Sequence, residues 1–115
     1  MTDAEIETVA FEMRLRPGAE ATYRLRHDQI WPELVEALKA AGVFDYQIFL
    51  DAETGRLFAV MTRRRDHGLA QLSQSPVMRR WWAMMADIME TEPDFEPRST
   101  SLARVFTLRE HVSPA

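Results

Sequence analysis

From Glu7 to Arg16 the apolar residues Val9, Phe11, Met13 and Leu15 alternate with Ala10, Glu12, Arg14 and Arg16. A period of two sends the first set to one side of a sheet, so a strand with one buried face is predicted, ended by Pro17 and Gly18. The period then changes. Between Ala19 and Ala41 good helix formers carry Ile30, Leu34, Leu38 and Ala41 at helical spacing, and Gly42 stops them. Pro32 lies within that span and has no backbone N–H to donate, so the helix is expected to kink or restart around Gln29 to Trp31.

Val43 to Leu50 and Arg56 to Thr62 read as two strands joined by Asp51 to Gly55, a connection short enough for an antiparallel hairpin. Within the first of these, Tyr46 shares a face with Phe44, Ile48 and Leu50, which makes burial the default for all four. Helical spacing returns from Asp66 to about Glu90, with Pro76 opening a second piece and Met78, Trp81, Met85 and Ile88 forming an apolar stripe. Thr91 to Thr100, TEPDFEPRST, is a proline-bearing loop; Leu102 to Leu108 is the expected closing strand, and Arg109 to Ala115 a tail. The order β-α-β-β-α-β belongs to the α+β class. It implies a ferredoxin-like fold over residues 1–115 as one domain, a four-stranded antiparallel sheet with two helices on one face. The other face is left bare and apolar, and a second copy of the chain is the expected cover, giving a homodimer.

Composition narrows the function. The net charge of -4 argues against general affinity for nucleic acid, which needs a basic face. No stretch has the length of a membrane span, and MTDAEIETVAF carries acids where a secretory leader would carry lysines, so a soluble cytoplasmic protein is expected. Cysteine is absent, which excludes thiolate nucleophiles, disulfides and cysteine-ligated metals. The histidines His27, His67 and His111 are scattered, and no pair stands at ligand spacing; Asp28 and Glu33 near His27 offer only a faint metal site. No metal or cofactor is expected.

The candidate chemistry lies in RHDQIWPEL, Arg26 to Leu34. Tyr23 and His27 are four residues apart and share a helix face, and a histidine both gives and takes a proton near neutrality. The plainer reading of such a histidine is a structural hydrogen bond beside a proline kink. Adjacent Trp81 and Trp82 point about 100° apart on a helix, so Trp81 follows the apolar stripe while Trp82 looks toward a cleft, an interface or solvent. An aromatic face there would suit a sugar ring or a dimer contact. Arg63, Arg64 and Arg65 read as a solvated run at a strand end, Arg79 and Arg80 as anion binders without a glycine-rich loop, and the methionines from Met78 to Met89 as adaptable core.

Together, Y-x-x-R-H-x-x-I-W-P-E-L at Tyr23 to Leu34, the strand beginning at Tyr46, L-F-A at Leu57 to Ala59 and R-W-W-x-x-M-x-x-x-M at Arg80 to Met89 resemble the L-rhamnose mutarotase family over nearly the whole chain. The resemblance implies a dimeric α/β barrel and an isomerase that interconverts the anomers of a free 6-deoxy sugar without a cofactor. It implies His27 as proton donor, with Tyr23, Tyr46, Trp81 and Trp82 contacting the sugar. Phe49 stands where related sequences often have tyrosine, and PDFEP replaces a more polar PDNSP-like stretch; both bear on which sugar is preferred, L-rhamnose or another such as L-fucose. Two other classes use the same fold: cofactor-independent monooxygenases, which need an oxidisable substrate, and non-catalytic ligand-binding domains, which are usually joined to a DNA-binding segment.

Overall fold

Strand β1 (Ile6–Arg14) is followed by two helices, α1 (Glu20–Asp28) and α2 (Pro32–Ala40), then by β2 (Val43–Asp51) and β3 (Arg56–Arg64). The computed structural model describes residues 5–110; His111 and the rest of the expected tail lie outside the described residues. The restart falls where proline dictates. Gln29 to Trp31 separate the two helices, and Pro32 occupies the first turn of α2, where its missing N–H breaks no bond. Gly42, at a φ of 99°, then turns the chain into β2 through a backbone conformation that side chains disfavour.

The sheet order is β2-β3-β1-β4, with every pair antiparallel, which is the ferredoxin-like arrangement. Register assigns the faces. Phe11 pairs with Ala59 and Ala59 with Ile48, while Val9 pairs with Met61 and Met61 with Tyr46; these residues face the helices. Leu57 and Ala59 are buried there in one cluster with Tyr23, Leu34, Trp81 and Met85, and Met61 is buried on the same face. The opposite set includes Ala10, Val60, Phe58, Phe49 and Leu102, and of these Phe49 and Leu102 are exposed.

Four expectations need correction. First, the register of β2 shifts between Val43 and Asp45, and this bulge turns Phe44 outward, so it does not share the buried face of Tyr46. Second, the two helical pieces expected between Asp66 and Glu90 are present but shorter: a single turn, α3 (Leu69–Leu72), and α4 (Pro76–Met85), which Pro76 opens as expected after Ser75, whose hydroxyl accepts from Met78 N. Ile88 therefore lies beyond the helix. The backbone there is taken by β1's end, with Arg16 N donating to Ile88 O at 2.9 Å and Glu90 N to Arg14 O at 3.0 Å. Third, the closing strand β4 spans only Thr100–Leu102, and Val105, Phe106 and Leu108 are exposed. At 2.9 Å, an Arg104 guanidinium donates to Thr8 O, occupying with a side chain the edge of β1 that a longer β4 would use. Fourth, Arg63 and Arg64 belong to β3, and Arg63 is not solvated: its Nε donates to Glu7 Oε2 at 2.7 Å.

Candidate active site

Between the helix-facing side of the sheet and helices α1, α2 and α4 lies a cavity of about 780 Å³. Tyr23, His27, Tyr46, Trp81 and Trp82 all line it, so the fold brings the five sequence-predicted residues together from α1, β2 and α4. Helical spacing accounts for the first pair. Tyr23 and His27 stand one turn apart on α1 with ring centroids 4.2 Å apart, the rings tilted by 33°. The edge-on ring of Trp81 comes next, 5.4 Å from His27, and Trp31 closes against Trp81 at 5.1 Å. Trp31 was not singled out from sequence as a functional residue, although it follows His27 by four positions. Phe11 meets Tyr46 edge to face at 6.1 Å.

The tautomer of His27 follows from one contact. Its Nδ1 lies 3.0 Å from Tyr23 O, and a carbonyl oxygen only accepts, so Nδ1 carries a proton and donates. Nε2 is then the exchangeable nitrogen. Burial pushes the imidazole pKa below its ordinary 6.5, against smaller opposing effects of the Tyr23 carbonyl and the Asp28 carboxylate. At neutral pH the ring is uncharged, with Nε2 a bare acceptor. Burial raises the Tyr23 phenol well above its usual range, with the nearby Tyr46 adding to the effect, and burial alone raises Tyr46. Both phenols stay protonated at neutral pH.

Trp82 reaches the same cavity from the other side of α4. The Arg79 guanidinium sits 5.4 Å from its ring centroid and bridges to Asp94 Oδ2 at 3.0 Å, tying the ring to the TEPDFEPRST loop. Phe95 in that loop has a φ of 73°, in the left-handed region, where an asparagine of a PDNSP-like stretch is at ease and a phenylalanine is strained. Glu92 N to Glu96 O at 2.8 Å and Phe95 N to Glu92 O at 2.9 Å hold the turn.

Sequence reasoning missed two charged residues that line the cavity, Arg63 and Glu96. Arg63 was detectable as the next same-face residue after Met61 on β3; Glu96, in a loop, had no periodic signal. Of the other arginines, Arg79 is engaged by Asp94 and Arg80 by Glu33 at 3.1 Å, so both are spent on side chains of the chain itself. Among the described residues no group of three His, Cys, Asp or Glu side chains could hold a metal ion. Nor is any helix among them long and apolar enough to cross a membrane.

The arrangement is an apolar, aromatic slot with one neutral imidazole and two phenols, suited to moving a proton on a small hydroxylated ligand. Comparison with known proteins agrees with that chemistry. The model of the family described as L-rhamnose mutarotase matches residues 8–108. Over 103 residues the chain is 57% identical to an L-rhamnose mutarotase of Burkholderia orbicola, covering 90% of this chain and 99% of the relative. It is 58% identical over 101 residues to one from a Jannaschia species, covering 88% and 97% respectively. The crystal structure of the L-rhamnose mutarotase FA22100 from Formosa agariphila superposes with a TM-score of 0.82 at 43% identity, over 89% of this chain and 98% of that one. A Bordetella bronchiseptica chain named for antibiotic biosynthesis monooxygenases gives a TM-score of 0.64 at 16% identity, over 89% of this chain and 99% of that one, and shares the fold alone.

Proposed function

The chain belongs to the L-rhamnose mutarotase family, and from that premise we infer the reaction and the residues that perform it. It is an isomerase that interconverts the α and β anomers of L-rhamnose. The exchange requires the anomeric hydroxyl to lose a proton and the ring oxygen to gain one, so that the pyranose opens to an aldehyde, rotates about C1–C2 and recloses on the other face. No redox or group transfer occurs.

His27 performs both transfers. Its neutral Nε2 takes the proton from the anomeric O1–H as the C1–O1 double bond forms and the C1–O5 bond breaks. The resulting imidazolium gives that proton to O5. Both oxygens start on the same carbon, so one nitrogen reaches each in turn, and the histidine ends as it began. Closure on the opposite face is the reverse sequence. The Nδ1–H bond to Tyr23 O supports this reading above all others, because it reserves Nε2 for the substrate and holds the ring at a fixed angle. Tyr23 and Tyr46 donate hydrogen bonds to sugar oxygens; Trp82 and Trp81 offer ring faces and edges to the apolar side of the 6-deoxy sugar. Transverse or saturation-transfer NMR of equilibrated L-rhamnose tests the activity: exchange faster than for D-glucose at equal enzyme is expected, and buffer-level exchange for both would contradict it.

A second copy of the chain covers the outer sheet face in this account. Exposed Phe49 and Leu102, with Val105, Phe106 and Leu108 beyond β4, support that assignment. Sedimentation is expected to give a dimer at micromolar concentration, and a compact monomer would contradict it. The single-domain reading of residues 1–115 and a cytoplasmic workplace belong to the same proposal.

A further inference from the structure

Arg26 neighbours His27 in sequence, but its guanidinium is committed elsewhere. Nη1 donates to Met84 O at 2.9 Å and to Asp87 Oδ1 at 2.7 Å, while Nη2 donates to Asp87 Oδ2 at 3.2 Å. This is a forked, two-point pairing with a carboxylate, reinforced by a carbonyl from the last turn of α4. That turn leaves carbonyls without helical partners, and a cation beside them is favoured. The hydrogen bond from Arg26 in turn holds the Asp87 carboxyl below the usual carboxylate range, so the pair stays ionised through neutrality.

The contact joins the last turn of α1 to the C-terminal end of α4. These are the segments that place His27 against Trp81, at 5.4 Å between ring centroids. The side chain of Asp87 is 64% exposed, so the pair adds little to stability once water screens it. A planar fork fixes angle as well as distance, which a single contact does not. Elsewhere α4 is linked to α2 by Arg80 and Glu33, whose single contact of 3.1 Å is exposed on both sides. That pair has no fork and no backbone carbonyl.

We propose that Arg26 and Asp87 are positioning residues for the proton transfer: their forked pair, with the Met84 carbonyl, sets the angle at which α1 presents His27 Nε2 to the cavity. The proposal rests on the reading of His27 as the proton carrier. It predicts a change in turnover rather than in substrate affinity, because neither residue lines the cavity.

The test compares wild type with Asp87→Asn, Asp87→Glu, Arg26→Lys, Glu33→Gln and His27→Ala, measuring anomer exchange, thermal unfolding and the ring 15N shifts of His27. Asp87→Asn is expected to lower kcat about 10-fold with KM within about 2-fold, less than the ~10² that an ångström of misplacement costs. Its Tm should stay within about 2 °C of wild type. Asp87→Glu should recover most of the rate, Arg26→Lys should not, and Glu33→Gln should leave kcat and Tm near wild type. The ring 15N shifts should report the same Nδ1–H tautomer in Asp87→Asn as in wild type, since Tyr23 O fixes it within α1, so that the lost rate reflects placement and not protonation. Unchanged kcat in Asp87→Asn would overturn the proposal, as would an equal loss in Glu33→Gln, since any link between helices would then suffice. Full exchange by His27→Ala would instead overturn the histidine reading, a result separate from the Asp87 series.

Discussion

Trp81 and Trp82 are neighbours in sequence, yet the two sides of α4 that carry them are built for different purposes. Trp81 is 7% exposed and wedged between His27 and Trp31, in the same buried cluster as Met85 and Val77. Trp82 is half-buried on the cavity's rim, held by Arg79 and through it by Asp94 in a solvent-exposed loop. One side fixes the His27 ring by packing; the other holds an aromatic face at the cavity by exposed polar contacts that cost little to rearrange. In the proposed reaction the helix thus separates catalysis and stability from recognition at successive positions, because 100° of rotation per residue is enough to cross from core to cleft.

The comparison breaks most visibly at His27. His27→Ala should lower the rate of anomer exchange by about 10²–10⁴ while leaving sugar binding near wild type, since a positioned acid-base group contributes to the transition state rather than to the bound ground state. Exchange kinetics with a separate sugar titration check this. Next comes Trp81→Ala, expected to cost about 3–5 kcal/mol of stability, as loss of a buried tryptophan does, and to reduce turnover by freeing the His27 edge contact. Denaturant unfolding reads the first effect. Trp82→Ala should change stability by less than about 1 kcal/mol and weaken sugar binding several-fold, about the ~0.5–1.5 kcal/mol of an aromatic contact. Equal losses of stability in the two tryptophan variants would erase the distinction between the sides.

How far the sequence foretold this division depends on whether a residue's partners are local. Tyr23 and His27 share a face because four residues is one helical turn, and Pro32 marks the restart of the helix by its missing N–H; both are local and both were legible. The end of α4 was not. Apolar spacing continues through Ile88, but the backbone of Ile88 and Glu90 bonds instead to Arg16 and Arg14, on the far end of the chain. Alternation likewise suggests a long β4, while the edge of β1 that it needs is occupied by the Arg104 side chain. Phe44 was misplaced because a bulge shifts the period that the alternation assumed. Within the site, Arg63 was obscured by its two arginine neighbours, and the forked pairing of Arg26 with Asp87 joins residues 61 positions apart, for which no sequence period exists.

The central claim is that His27 rests neutral, with its proton on Nδ1 and Nε2 ready to accept. The direction of its pKa shift gives the sign of the pH dependence. Burial favours the uncharged ring, so the folded enzyme takes up the proton at Nε2 only at a pH below the ordinary 6.5. Unfolded chain protonates first as pH falls through 6.5, so the same shift removes stability on acidification and adds none above neutrality. Measured as kcat/KM for L-rhamnose anomer exchange by saturation-transfer NMR from pH 5 to 8, the activity is predicted to be flat above about 6.5 and to fall below it as Nε2 becomes occupied. A rate that instead falls as pH rises through 6.5, the behaviour of an enzyme whose resting histidine must already be protonated, would contradict the account.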